Sequence, residues 1–393
     1  MAKKITALFC FWKGLIYIFA YLATFLIPLQ IKFTAALDFG LRLPYLVWIW
    51  GNFDGTHYME IARNGYHPSE NAFFPLYPLL IKFLYETFRL IGVYLPYLFS
   101  SQIISNLAFF LSLFFLYKIL QIDHRENLSI LIFSIIILFP TSYSYGAAYN
   151  DSLFFLLTTL TIYFARKQSF FVSSIMGALA TLTRLNGLAL IFIILFEYIE
   201  LNNTANTWGF KTFYKKIKNS LDWRIVSGKK IYAVVLIPLA FAGYLLYTHI
   251  FHGKWDLVFS SMQVWNQDTI TFPLQVFWRY FKILTHVSPT NIVYFVATIE
   301  LLSVLFYIFI IIYSYKKIRL SYWIFIIISI LIPSLTGTFA GMPRYALHLY
   351  PLFLGIALFL EQKSLVFKIC YFTVTTVLLF LLLMLFTRGY FVA

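Results

Sequence analysis

Apolar runs long enough to cross a bilayer recur along this chain, and nothing else in it constrains the fold as strongly. A hydrocarbon core about 30 Å thick requires about 20 residues of helix. Runs of that order cover 13–30, 97–120, 128–148, 151–166, 231–250, 291–314, 320–339, 345–361 and 364–387. Composition agrees: of 393 residues 61% are hydrophobic and only 11% charged, with mean hydropathy +0.81. A soluble domain carries about 25% charged residues, so a soluble enzyme, a coiled coil and a disordered chain are excluded. The sequence predicts an all-α polytopic membrane protein, a single integral membrane domain over 1–393. Cys10 and Cys370 lie in apolar stretches, with no spacing that suggests a disulfide framework or a metal site. Met1-Ala-Lys-Lys leads into the first run without a small-residue cleavage site, which predicts a retained span rather than a removed signal peptide.

Charge sets the expected orientation. Lys and Arg number 30 against 15 Asp and Glu, a formal net charge of +15. In a soluble protein that would suggest nucleic acid; in a membrane protein it first marks the cytoplasmic side, and no nucleic-acid partner is expected. The stretch 170–200 would be about 46 Å long as one helix, and Thr183-Arg184-Leu185-Asn186-Gly187 interrupts it. Reading it as two short spans keeps the basic loop 201–230 (Lys211, Lys215, Lys216, Lys218, Arg224, Lys229 and Lys230) on the same side as the N-terminal lysines. The expectation is then about 11 transmembrane helices, N-terminus cytoplasmic and C-terminus outside. It also puts Arg166-Lys167, Lys316-Lys317-Arg319, Lys363 and Lys368 inside. Two outer loops, 31–96 and 251–290, are too long for simple turns. In the first, Lys82, Glu86 and Arg89 fall on one face of an otherwise apolar segment behind Pro75 and Pro78, which predicts a helix lying in the membrane interface. In the second, Trp255, Trp265 and Trp278 suit an interfacial aromatic belt.

The chemistry-bearing residues collect in the segments expected outside. There is no phosphate-binding glycine loop and no H-E-x-x-H, and no two acids are spaced as D-x-D, so neither nucleotide-driven pumping nor metal-assisted use of a soluble nucleotide sugar is indicated. No metal and no cofactor is expected. Asp54, His57, Tyr58 and Ile61 share one face of a short helix ending near Asn64-Gly65. Asp54 fits either an N-cap or a carboxylate able to take a proton from a bound hydroxyl; His57 also admits a metal-ligand reading, without a partner cluster. Asp151, in Tyr149-Asn150-Asp151-Ser152, is either a solvated or capping acid or part of the site. Arg184 sits between apolar helices, where a charge needs a partner or a cavity. Its alternatives are a structural ion pair with Asp151 or a phosphate contact, to which a guanidinium is suited. Arg344 adds a second arginine beside Tyr345. Glu300, near the middle of the eighth expected span, finds no role in this scheme.

The run Phe53–Pro78, FDGTHYMEIARNGYHPSENAFFPLYP, resembles the signature loop of the GPI second-mannose transferase family and its prokaryotic relatives, membrane glycosyltransferases of the GT-C class. The matching residues are Asp54, the pair His57-Tyr58, Ile61-Ala62, Gly65-Tyr66 and Ala72 to Pro78. YNDSLF (149–154), ATLTRLNGL (180–188) and PRY (343–345) resemble further elements of that family in the same order. Phe53 stands where the family has Trp, and Asp151 where it has Glu. The resemblance implies a polyprenyl-phosphate-linked sugar donor, with mannose the implied sugar, and transfer to a hydroxyl of a glycan or lipid acceptor at the outer face. It implies Asp54 as catalytic base, with His57, Tyr58, Asp151, Arg184, Asn186, Arg344 and Tyr345 binding substrate. The expected setting is the plasma membrane of a prokaryote, or the ER membrane in a eukaryote, with membrane lipids around the protein. A transporter or flippase of lipid-linked glycans is the alternative, supported by the many spans and the break at Arg184.

Overall fold

The computed structural model describes residues 2–30, 34–35, 42–201, 230–265, 267 and 270–392. Among these, every regular element is helical. The principal helices are α1 (Ala2–Leu26), α2 (Asp54–Asn64), α3 (Leu76–Leu90), α4 (Tyr97–Ile122), α5 (Ser129–Ile137), α6 (Asp151–Arg166), α7 (Phe170–Thr181) and α8 (Leu190–Leu201). They continue as α9 (Leu236–His252), α10 (Pro273–His286), α11 (Ile292–Ser314), α12 (Leu320–Ser334), α13 (Met342–Tyr345), α14 (Tyr350–Glu361) and α15 (Leu365–Thr387).

Among the described residues, five helices are long and apolar enough to cross a membrane: α1, α4, α9 with its leading turn (Ile231–His252), α11 and α15. Met342–His348 and Tyr350–Glu361, bent by 94°, make a sixth if the pair counts as one span. The chain is thus an integral membrane protein, but length and composition do not give the expected tally of about 11 full helices. Part of the shortfall lies in helices that are continuous but short, α6 with 16 residues and α12 with 15, and part in interrupted stretches. In 128–148, α5 is only 9 residues long, about 14 Å. Pro140 follows, which lacks a backbone N–H and disfavours helix in the residue before it. The polar run behind it closes into a buried 3-10 turn, Ser142–Gly146. In 170–200, α7 and α8 flank a second 3-10 turn, Leu185–Ala189. Gly187 is required there: a Cβ would lie 2.4 Å from the backbone nitrogen of Thr181 and 2.7 Å from the carbonyl carbon of Ala180.

Two helices form the interior. Most side chains of α6 and nearly all of α14 are buried, α6 mainly against α4 and α7, α14 mainly against α11 and α5. The hydroxyls of Thr159 and Thr161 on α6 donate to the carbonyls of Phe155 and Leu157 in the preceding turn, so they enter the core satisfied. Both interior helices begin at the same place, and the candidate site lies there.

The opposite end of α6 is fastened by charge. Arg166, the last residue of α6 and about 22 Å along the helix from Asp151, pairs with Asp123 at 2.7 Å and Glu197 at 3.2 Å. Arg319 pairs with Glu197 at 2.8 Å and with Glu200. Ser321 donates to Glu197, and Tyr322 donates to Asp123 at 2.9 Å. The Glu197 side chain is wholly buried, so each of its oxygens needs these donors. The expected amphipathic helix is α3, which buries Tyr77, Pro78 and Ile81 and turns Leu79, Phe83 and Leu90 outward. Apart from its two ends, the expected basic loop 201–230 lies outside the described residues.

Candidate active site

Asp54 is the first residue of α2. Phe53 before it holds φ 54°, a left-handed value uncommon for a non-glycine residue and costing about 1–3 kcal/mol. Its ring lies against Phe386 and Phe391, with centroids 5.8 and 5.6 Å away. Next to it, the Asn52 amide accepts from the backbone N–H of Ala35 and donates to the carbonyl of Phe386. No side chain caps α2, so the N-cap reading of Asp54 does not hold. Its carboxylate instead accepts a hydrogen bond from Arg344 Nη2 at 2.6 Å.

Asp151 opens α6 and is fully buried. At a helix N-terminus a carboxylate meets a favourable backbone field, and here it also has three cationic or donor neighbours. Arg184 Nη2 donates to Oδ1 at 2.7 Å, His348 Nε2 lies 2.8 Å from the same oxygen, and Arg344 Nε is 3.7 Å from Oδ2. Arg184 Nε donates to Asn150 Oδ1 at 2.8 Å, and Asn150 Nδ2 returns a bond to the carbonyl of Thr183 at 2.7 Å. Each guanidinium also lies near an aromatic ring: Arg184 over Tyr345 at 5.5 Å and Arg344 over Tyr149 at 4.9 Å. Two carboxylates therefore alternate with two arginines, joined through Arg344, which reaches both acids. The ion pair between Arg184 and Asp151, one of the alternatives left open by the sequence, is present.

A cavity of 320 Å³ opens beside this row. Its lining includes Asp54, Tyr58, Asn150, Arg184, Asn186, Arg344 and Tyr345 together with the apolar Phe259, Met262, Trp265, Ile270 and Leu335. Tyr58 is buried with its ring edge-on to Phe73 and Tyr77. Burial pushes its phenol well above the usual tyrosine range, so it stays protonated and keeps an O–H that can donate. Asn186 Nδ2 donates to the carbonyl of Ser329 at 3.3 Å, tying the 3-10 turn to α12. His57 stands apart. It does not line the cavity; its Nδ1 is 3.3 Å from Glu70 Oε1, and its ring stacks on Phe73 at 4.8 Å. Among the described residues, no group of three or more His, Cys, Asp and Glu side chains is arranged to hold a metal ion.

The sequence reading missed His348 and Asn150. A signal for His348 existed: it lies four positions after Arg344 in a helical turn, on the same face. Asn150 sits inside a quoted motif, but its part depends on the hairpin fold that brings Arg184 to it.

No known family profile matches the chain, and no curated protein sequence matches it. Among solved structures it is similar to the Archaeoglobus fulgidus oligosaccharyltransferase in a complex with Zn and sulfate, with a TM-score of 0.41 and 8% identity over 96% of this chain and 53% of that one. It is likewise similar to the archaeal oligosaccharyltransferase AglB from Archaeoglobus fulgidus in complex with an inhibitory peptide and a dolichol-phosphate, with a TM-score of 0.40 and 9% identity over 97% of this chain and 56% of that one. The chain spans little more than half the length of these proteins.

Proposed function

We propose that the protein is an inverting membrane glycosyltransferase of the GT-C class that moves a sugar, mannose by the motif resemblance, from a polyprenyl-phosphate donor to a hydroxyl of a glycan or lipid acceptor. The observation that carries this reading is the row of ion pairs Asp54–Arg344–Asp151–Arg184, of which Asp54, Arg344 and Arg184 line a cavity that is otherwise lined in large part by apolar side chains, with Asp151 buried behind the two arginines. The donor's sugar and phosphate lie against the charged and polar lining residues, and its lipid tail leaves over the apolar ones.

In the reaction the acceptor oxygen attacks C1 of the sugar, the C1–O bond to the phosphate breaks, and the hydroxyl proton passes to the Asp54 carboxylate. The electron pair of the broken bond stays on the polyprenyl phosphate, where Arg184 and Arg344 meet the growing charge. Fixed donors aimed at developing charge in a water-poor site are the largest single aid to such steps. Tyr58 and Asn186 donate to sugar hydroxyls. Asp151 and His348 hold Arg184 in place. A phosphate seated between the two guanidiniums competes with Asp54 for Arg344, so donor binding itself frees the base. His57, paired with Glu70 and outside the cavity lining, meets the acceptor rather than the reacting bond. Transfer takes place at the outer face of the membrane, with the N-terminus cytoplasmic.

The test is purified protein incubated with polyprenyl-phosphate mannose and a panel of lipid and glycan acceptors, with products detected by mass. Asp54→Asn is expected to keep donor binding and lose transfer by about 10²–10⁴-fold. Near-normal turnover in that variant removes Asp54 from the base role, and absence of any transfer by the wild type removes the reading.

A further inference from the structure

Glu300 lies within the apolar helix α11 and is 4% exposed. A carboxylate in such a segment is costly and calls for a named partner. Its partners are unusual in where they lead. Oε2 accepts from the hydroxyl of Tyr280 on α10, and Oε1 accepts from the backbone N–H of Gly341 at 3.3 Å. The Tyr280 oxygen in turn accepts from the backbone N–H of Phe339 at 3.0 Å and lies 3.1 Å from Thr338 Oγ1. Arg279, the residue before it, donates to the carbonyl of Gly337 at 3.1 Å.

Three polar side chains, Arg279 and Tyr280 of α10 and Glu300 of α11, thus hold 337–341 through its backbone. Gly341 has φ 75° and is the N-cap of α13; the backbone N–H of Arg344 bonds to its carbonyl at 2.8 Å. On the other side, Thr141 donates to the carbonyl of Pro343 at 2.9 Å. Arg344 is therefore fixed one helical turn beyond the Glu300 contact, and it is the arginine that bridges both acids of the site.

We propose that Glu300, acting through Tyr280 and Gly341, is a positioning residue that sets the guanidinium of Arg344 between Asp54 and Asp151; its consequence for catalysis rests on the transferase reading. A carboxylate suits the task because both oxygens accept, one from each side of the clamp, whereas an amide offers a single acceptor oxygen. Losing the clamp lets α13 drift, and a misplacement of about 1 Å at a reacting group costs up to about a hundredfold in rate.

The experiment has two arms, on Glu300→Ala, Glu300→Gln and Tyr280→Phe. In the first, phenylglyoxal modification of arginines is followed by peptide mass spectrometry. Glu300→Ala and Tyr280→Phe are expected to speed labelling of Arg344 by about fivefold, leaving Arg184 within about twofold. Glu300→Gln, which keeps one acceptor, is expected to fall between them and the wild type. In the second arm, transfer from polyprenyl-phosphate mannose falls about tenfold to a hundredfold in Glu300→Ala, yet the same change adds less than about twofold in an Arg344→Lys background. Unchanged Arg344 labelling, or equal losses in the two backgrounds, overturns the proposal. The labelling arm needs no turnover. Faster labelling with no transfer by any protein keeps the clamp and discards the transferase reading; transfer without altered labelling does the reverse.

Discussion

Replacing Asp151 by asparagine separates the two carboxylates of the site by what burial does to them. Asp151 is wholly buried and faces Arg184 at 2.7 Å, His348 at 2.8 Å and Arg344 at 3.7 Å. Asp54 faces Arg344 at 2.6 Å, but its side chain is 21% exposed and that of Arg344 14%. Asparagine keeps the shape of either side chain and removes the charge. At position 151 two guanidiniums are left in an enclosed site with one remaining carboxylate. Breaking a buried pair from one side costs about 3–5 kcal/mol, a large share of the roughly 5–15 kcal/mol that holds a typical protein together. At position 54 water reaches the pair, and the loss is that of one charge-assisted hydrogen bond, about 1–2 kcal/mol. Asp151→Asn is therefore expected to unfold at a markedly lower denaturant midpoint than Asp54→Asn. Tryptophan fluorescence of the detergent-solubilised protein measures both. Equal midpoints for the two variants, or an Asp151→Asn protein as stable as the wild type, would refute the assignment of Asp151 as the buried counter-ion of the arginines.

Two further outcomes follow from the described geometry. Gly187→Ala forces a Cβ onto the backbone at Ala180 and Thr181, so a stability loss of about 1–3 kcal/mol is expected, with transfer falling further as Arg184 shifts; a variant as stable and active as the wild type contradicts this. For sidedness, Asn64→Cys and Lys316→Cys are made after replacing the exposed Cys10 and Cys370 with serine. A membrane-impermeant maleimide added to intact cells is expected to label position 64 alone; labelling of position 316 instead inverts the proposed orientation.

The legible parts of this chain were those written in local pattern. Apolar runs located α1, α4, α9, α11 and α15, and the polar spacing of Lys82, Glu86 and Arg89 located α3. The interruption at Arg184 to Gly187 was visible as a break, and the structure places a turn there. Hydropathy misled at 128–148 because it averages over Pro140 and the serines and threonines beyond it, which end α5 early. Motifs singled out Asp54, Asp151, Arg184 and Arg344 but not His348 or Asn150, and the structure brings those four charged residues together. What local pattern cannot carry is partnership across the fold. Glu300 had no role until Tyr280 and Gly341 stood beside it, and Glu197 and Arg319 gave no sign of each other across 122 positions.

The support of the strained Phe53 has a consequence in time. Its ring lies against Phe386 and Phe391, and its neighbour Asn52 bonds to a carbonyl 334 positions later in the chain. During synthesis, α2 is therefore made long before the residues that hold its first turn in place. The first turn of α2 gains its full support only once α15 is laid beside α1, and a chain that stopped short of Phe386 would leave Phe53 and Asn52 without these partners.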